Sequence, residues 1–159
     1  VTLVSPPGRM TVHELKGGVK VLDDSYNSSP PALKAALETL AMQSEKGRKI
    51  AVLGTMRELG PREEEIHRGV GRQLRLNGVD LVVGVGKGGG WIADEAEALG
   101  IPTLRGENAE SMGEILLPRI LPGDCILLKA SRAEGMEAVL ASMLDWVRTS
   151  SFEALEGSR

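Results

Sequence analysis

The sequence predicts an α/β domain built on a wound, mainly parallel, Rossmann-like sheet flanked by helices, with an N-terminal β-hairpin at one edge. Two observations carry the wound sheet. Short, nearly continuous apolar runs such as Lys49–Leu53 and Asp80–Gly84 have the profile of strands buried on both faces. Between them lie segments whose apolar residues recur at helical spacing, and alternation of the two kinds is the pattern of right-handed β-α-β units. A third observation, the two-glycine break Lys16-Gly17-Gly18 between Thr11–Leu15 and Val19–Leu22, predicts the hairpin.

The polar stretch Asp23–Pro31 follows the hairpin, and Pro30 and Pro31 suit the first turn of a helix. From Ala32 onward, Leu33, Ala36, Leu37, Leu40 and Ala41 mark its buried face. A strand over Lys49–Leu53 ends at Gly54. Arg62–Leu76 reads as a helix stopped by Asn77-Gly78, and Asp80–Gly84 as the next strand. A helix over Trp91–Leu99 stops at Gly100, before a short strand Ile101–Leu104. A helix over Ala109–Ile120 stops at Pro122-Gly123. Asp124–Lys129 is the last strand and Glu134–Arg148 the last helix.

Residues 11–149 therefore read as one domain, with residues 1–10 a connection between domains and residues 150–159 a loose tail. Composition narrows the function classes. The chain of 159 residues is 42% hydrophobic and 26% charged, enough for a substantial core. Aromatic residues make up only 3%, so stacking surfaces are few. A net charge of −3 with no basic stripe speaks against nucleic acid or an anionic membrane as partner. No apolar stretch reaches the ~20 residues needed to cross a bilayer. The single cysteine, Cys125, lies in an apolar run and reads as a small buried thiol, which fits a reducing cytoplasm.

In wound sheets, ligands bind beyond the carboxyl ends of the strands. Four such ends are polar or glycine-rich here. In Asp23-Asp24-Ser25-Tyr26-Asn27, Asp24 could accept bonds from ribose hydroxyls, and Tyr26 or Asn27 could meet a base or phosphate. The same residues could equally make turns, with Ser29 capping the next helix. In Gly54–Gly60, Arg57 and Glu58 could hold the two ends of a zwitterion, or stand as exposed charges in a connection. Gly84–Gly89 formally satisfies the G-x-G-x-x-G pattern, with Glu107 where a ribose-binding acid is expected. That motif belongs to the first β-α unit of a dinucleotide fold, whereas here an earlier unit precedes it. In Lys129-Ala130-Ser131-Arg132, the two cations could face phosphate or carboxylate while Ser131 caps the last helix.

The absences count as well. There is no G-x-x-x-x-G-K-[ST] to cradle ATP phosphates, no zinc-spaced His/Cys cluster and no nucleophile elbow. His13, in the hairpin, and His67, within Glu63–Gly69, each read as an exposed or helix-face histidine without an obvious nucleophile partner.

Taken together, the segments resemble the C-terminal domain of the Mur ligase family, most closely its D-alanyl-D-alanine-adding branch. The resemblance rests on Gly8-Arg9-Met10, Leu22 through Asn27 with Pro30, and Ala35-Ala36-Leu37. It continues through Ala51–Gly54, Met56, Glu58-Leu59-Gly60, His67 and Val70-Gly71. It ends with Lys129, Ser131-Arg132 and Met136-Glu137. These occur in the family's order. Two positions depart from it: Thr55 stands where the family usually has Asp, and Ala130 where it usually has Gly. The first removes a carboxylate, and the second adds a methyl that matters if that residue needs positive φ.

The resemblance implies a three-domain enzyme using ATP and Mg2+, of which this chain supplies only the closing domain. The N-terminal and central domains would hold the UDP-sugar, the nucleotide and the metal. The implied reaction phosphorylates the terminal carboxylate of a UDP-N-acetylmuramoyl-tripeptide, and the amine of D-alanyl-D-alanine then displaces phosphate. Carried over by position, Arg9 would reach phosphate, Asp24 ribose, and Tyr26 and Asn27 the nucleotide or acyl-phosphate pocket. Ser131 and Arg132, with Lys129, would face the peptide substrates, and Arg57 and Glu58 the dipeptide. Without the P-loop, the isolated chain is expected to be inactive. The rival expectations are a related ligase acting on another carboxylate, such as folate polyglutamylation, and a stand-alone dinucleotide module built on Gly84–Gly89.

Overall fold

The computed structural model describes residues 8–43, 47–131 and 135–149. They form a six-stranded sheet in the order β1-β2-β6-β3-β4-β5. The strands are β1 (Thr11–Glu14), β2 (Lys20–Asp23), β3 (Lys49–Leu53), β4 (Leu81–Val85), β5 (Thr103–Gly106) and β6 (Cys125–Lys129). Only the β1–β2 pair is antiparallel, so the expected hairpin stands at one edge of a parallel sheet. The register places Ile50 between Ile126 and Leu81, and β2, β6, β3 and β4 are mostly buried.

The helices are α1 (Pro30–Ala41), α2 (Glu63–Leu76), α3 (Gly86–Ala98), α4 (Ala109–Leu116) and α5 (Met136–Thr149). Three of the starts have a local cause. Ser29 caps α1 by accepting the Ala32 N–H at 3.3 Å, with the prolines in the first turn as expected. Glu63, Glu64 and Glu65 place carboxylates at the positive end of α2. Asn108 and Ser111 form a reciprocal capping box on α4.

Side-chain alternation along the strands divides the core in two. Leu22, Ala51, Leu53, Val82 and Leu127 pack with Leu37, Leu40, Leu74 and Ile92 from α1, α2 and α3. Val52, Val83, Ile126 and Leu128 pack with Met112, Leu116, Val139 and Met143 from α4 and α5 on the other face. Cys125 is buried, and desolvation pushes its thiol pKa up, as expected for an inert core cysteine. At the opposite end of the sheet from the strand-end loops, Arg48 makes two bonds, of 3.0 and 2.7 Å, to the fully buried Asp124 carboxylate. Asp124 thereby precedes β6 rather than belonging to it.

Several boundaries shift by a residue or two, and three differences have a clear physical reason or a larger extent. α3 begins at Gly86, directly after β4, not at Trp91. Glycines are poor helix formers, which is why the run read as a loop, but tertiary packing overrides propensity here. A Cβ at Gly89 would lie 2.4 Å from the Leu53 carbonyl oxygen, and one at Gly84 would lie 2.2 Å from the Gly89 carbonyl oxygen. Only glycines let α3 lie this close to the sheet. α4 ends at Leu116 and tightens into a 3-10 turn over Leu117–Arg119, because Pro118 cannot supply the next α-helical N–H. β5 lies later than Ile101–Leu104, reaching Gly106. The expected tail, and all of the expected connection except residues 8–10, lie outside the described residues.

Candidate functional site

Read as β5-β4-β3-β6, four strands of the sheet have the 3-2-1-4 order of dinucleotide folds, with β3 in the place of the first strand and β2, from earlier in the chain, beside β6. α2 leaves β3 toward one face, while β6 runs on to α5 on the other. A crevice therefore opens at the carboxyl ends of β3 and β6, with β2 beside them. The Asp24, Gly54 and Lys129 segments all meet there.

The β2 end is the most densely bonded. Asp23, nearly buried, accepts both the N–H and the hydroxyl of Ser25, which folds the chain back after the strand. Asp24 donates its N–H to the Leu128 carbonyl at 3.0 Å, extending the sheet by one residue. Its carboxylate accepts the Met10 N–H at 3.0 Å and pairs with Lys129 Nζ at 2.7 Å. Gly8, at φ +75°, accepts the Tyr26 N–H at 2.8 Å, and a Cβ there would lie 3.0 Å from that nitrogen. The preceding segment is thus laid against the Asp24–Asn27 loop. Arg9 then projects its exposed guanidinium 4.3 Å above the Tyr26 ring.

Lys129 is 2% exposed, and besides Asp24 Oδ2 it donates toward the Asp24 and Asn27 carbonyls, at 3.3 and 2.9 Å. Its donors are committed to shaping this loop. Asn27 uses its own side-chain oxygen to accept the Ser28 N–H. Ser131 donates its N–H to the Thr55 carbonyl at 3.2 Å, yet its hydroxyl is buried with no hydrogen-bond partner. It does not cap the last helix, whose described part begins at Met136. Arg132 lies outside the described residues. Ala130 is fully buried, and the only non-glycine positive φ angles among the described residues are at Met10 and Glu58. The methyl at Ala130 therefore meets no left-handed backbone.

The β3 end makes a neighbouring cavity of about 580 Å3 lined by Thr55, Met56, Arg57, Glu58, Glu63 and Lys87. Arg57 and Glu58 are exposed, and among the described residues neither has a side-chain hydrogen bond or ion pair. Glu58 is held at φ +62°. Lys87, 3.2 Å from Glu63 and 4.9 Å from the Trp91 ring centroid, lines this cavity and also the one beside Gly86 and Glu107. Thr55 stands where the resemblance expects a carboxylate, and its hydroxyl accepts the Gly88 N–H at 3.0 Å and ties the loop to α3.

The structure thus gathers Arg9, Asp24, Tyr26, Asn27 and Lys129 into one cluster and Arg57 and Glu58 into the adjacent cavity. Two residues were missed, Lys87 and His67. His67 does lie on a helix face, but on the buried one, with no exposed surface. Its spacing held the clue: it precedes Val70, Gly71 and Leu74 by three, four and seven residues, on the buried stripe of α2. Gly86 and Glu107 do line one shallow cavity, but on the second β-α unit of the winding. Gly84 lies inside β4, paired with Leu53 and Arg105, instead of in a turn. Among the described residues no group of three His, Cys, Asp or Glu gathers to hold a metal ion.

Fold and site together define an α/β domain with a polar crevice at the switch point of a wound sheet. Family comparison makes the class specific: residues 8–132 match the Mur ligase, glutamate ligase domain, and the chain belongs to the Mur ligase family. It is 32% identical over 144 residues to the UDP-N-acetylmuramoyl-tripeptide–D-alanyl-D-alanine ligase of Synechocystis, covering 91% of this chain and 32% of that protein. The Escherichia coli ligase of the same name is 32% identical over 146 residues, 89% of this chain and 30% of its own length. The chain thus spans about a third of the length of these relatives. It superposes on the MurF ligase of Thermotoga maritima, solved in complex with ADP, with a TM-score of 0.76 and 34% identity, over 92% of this chain and 33% of that one. A lone domain from a Haemophilus ducreyi ligase, with a TM-score of 0.62, 21% identity and coverage of 87% of this chain and 99% of its own, shares the fold.

Proposed function

We propose that this chain is the C-terminal closing domain of an ATP-dependent amide ligase that joins D-alanyl-D-alanine to UDP-N-acetylmuramoyl-tripeptide in peptidoglycan precursor synthesis. The observation that carries the proposal is the cluster at the β2 and β6 ends. There Asp24 is fixed by Lys129 and Met10 while Arg9 and Tyr26 face outward beside it. The relatives' names and the ADP-bound neighbour point the same way.

ATP would supply the phosphoryl group that activates the tripeptide's carboxylate. The exposed Arg9 guanidinium suits a phosphate, and the Asp24 carboxylate, 19% exposed, retains acceptor capacity for a ribose hydroxyl. Tyr26 and Asn27 line the same approach. Lys129 shapes the loop from beneath instead of touching substrate. The unpartnered Ser131 hydroxyl is a donor held ready for a substrate oxygen, with Arg132 next to it in sequence. Arg57 and Glu58 would meet the carboxylate and ammonium of the incoming dipeptide. By the family resemblance, magnesium would be held mainly by the central domain. Positioning by domain closure is the contribution of this chain, and it concentrates reactants that otherwise meet by chance. A precursor carried on a sugar nucleotide, with ATP as co-substrate, fits a reaction in the cytoplasm. No helix among the described residues is long and apolar enough to cross a membrane.

The test is ligation with ATP, magnesium, the UDP-linked tripeptide and D-alanyl-D-alanine, using the chain joined to the remaining two thirds that its relatives carry. Product is expected from the wild type, with severe loss in Asp24→Ala and Arg9→Ala and silence from the isolated chain. Ligation of a different acceptor only, by a folded protein that binds ATP, would transfer the chain to another branch of the family.

A further inference from the structure

The ligase reading leaves one fully buried ionisable ring without a task. His67 has no exposed surface, and its two nitrogens meet two backbone groups of opposite kind. Nε2 lies 2.8 Å from the Met56 nitrogen, which can only donate, and Nδ1 lies 2.6 Å from the Glu63 carbonyl oxygen, which can only accept. The ring is therefore neutral, with its proton on Nδ1. Gly88 makes room for it: a Cβ there would lie 2.4 Å from Nε2. The ring centroid stands 5.6 Å from that of Trp91. One side chain thus joins the start of α2, the start of α3 and the loop after β3.

That loop needs an anchor. Gly54 and Thr55 are held by backbone bonds to Lys129 and Ser131, and Met56 by His67. Beyond Met56 come Arg57 and Glu58, whose side chains are unbonded, and Glu58 and Gly60 both sit at positive φ, +62° and +71°. A backbone bent into an unfavoured region keeps its shape only when its surroundings fix it. The last fixing point before the two candidate acceptor-binding charges is the Met56 N–H.

We propose that His67 is a positioning residue for the acceptor subsite: as the Nδ1–H tautomer, it holds Met56 and so sets where Arg57 and Glu58 meet the incoming amine substrate. This rests on the ligase reading given above. His67 touches no substrate. Its effect falls on acceptor binding and leaves the nucleotide side, organised by Asp24 and Lys129, unchanged.

The experiment uses the full-length ligase and two variants of contrasting chemistry. His67→Leu fills the space but offers no acceptor, and His67→Gln places an amide oxygen near the position of Nε2. The leucine variant is expected to raise KM for D-alanyl-D-alanine about tenfold or more, with kcat within about threefold and KM for ATP unchanged. The glutamine variant is expected to return KM to within about threefold of wild type. If the leucine variant does not fold, His67→Asn, too short to reach Met56, takes its place. A wild-type acceptor KM in the leucine variant, or equal losses on both substrates, would overturn the proposal.

A readout independent of turnover comes from the same protein labelled with 15N-histidine and 15N-methionine. The imidazole couplings should report the Nδ1–H tautomer. The Met56 amide should exchange slowly in wild type and the glutamine variant and quickly in the leucine variant. An Nε2–H tautomer, or an unchanged Met56 amide, sinks the idea. Should the wild type fail to ligate the dipeptide, the ligase reading falls, and these two signals still decide whether His67 holds the loop.

Discussion

Lys129 Nζ stands 2.7 Å from Asp24 Oδ2, joining the end of β6 to the loop after β2 through a pair whose lysine is almost wholly buried. Removing one partner of such a pair leaves the other charge uncompensated, which costs about 3–5 kcal/mol. Lys129→Met is therefore expected to lower stability by about 3 kcal/mol, measured by urea unfolding. Asp24→Asn should lose less, since the amide oxygen can still accept from Lys129 or from the Met10 N–H. If Lys129→Met unfolds at the wild-type midpoint, the lysine is not the anchor described here.

Arg48 and Asp124 make the corresponding pair at the opposite end of the sheet. Asp124 has no exposed surface, accepts two bonds from the guanidinium and a third from the Leu121 N–H. Asp124, chiefly by hydrogen bonding, and Asp80 hold the Arg48 pKa above its ordinary value. Asp124→Ala should cost about 3 kcal/mol or more. Arg48→Lys, which keeps the charge but not the forked geometry, should cost about half that. Thermal unfolding of the two variants side by side checks the order, and a lysine variant as damaged as Asp124→Ala would contradict it.

Much of this architecture was legible in the sequence because burial on both faces leaves an unmistakable mark. Lys49–Leu53 was read to the residue, and the hairpin, the α1 cap and the parallel winding followed from turn chemistry and alternation. What escaped was set by contacts distant in sequence. The start of α3 was missed because Gly88 and Gly89 are glycine for the sake of His67, Thr55 and Leu53, none of which is nearby along the chain. Lys129 was legible as a charge at a strand end, but its commitment to Asp24 and Asn27 depends on β2 lying beside β6. Ser131 matched a capping pattern, yet the described part of α5 starts five residues later and the hydroxyl is buried without a hydrogen-bond partner.

The glycines of α3 separate by position. Gly89→Ala drives a methyl to 2.4 Å from the Leu53 carbonyl oxygen and 2.9 Å from the Gly84 carbonyl carbon, both backbone atoms that cannot step aside. It should cost about 2–3 kcal/mol through displacement of the helix. Gly90→Ala meets nothing within 4 Å and lies in the same helix, so it should stabilise by up to about 1 kcal/mol through helix propensity alone. Denaturant midpoints of opposite sign are the expected result. Equal effects from both substitutions would mean the helix does not approach β3 as closely as described.

Glu58 offers the sharpest contrast between fold and function. Its φ of +62° puts an L side chain in the left-handed region, at a cost of about 1–2 kcal/mol that glycine avoids. Glycine in turn gives the unfolded chain about 0.5–1 kcal/mol of extra entropy. Glu58→Gly is therefore expected to stabilise slightly, by under about 1 kcal/mol, as read from the unfolding midpoint. In the ligation assay the same substitution removes the carboxylate proposed for the dipeptide's ammonium, so KM for D-alanyl-D-alanine should rise about tenfold with kcat little changed. A loop that gains stability while losing acceptor affinity would mean that Glu58 is kept at this strained position for binding. If stability falls, the residue is holding the loop, and if KM stays at the wild-type value, the ammonium is met elsewhere in the cavity.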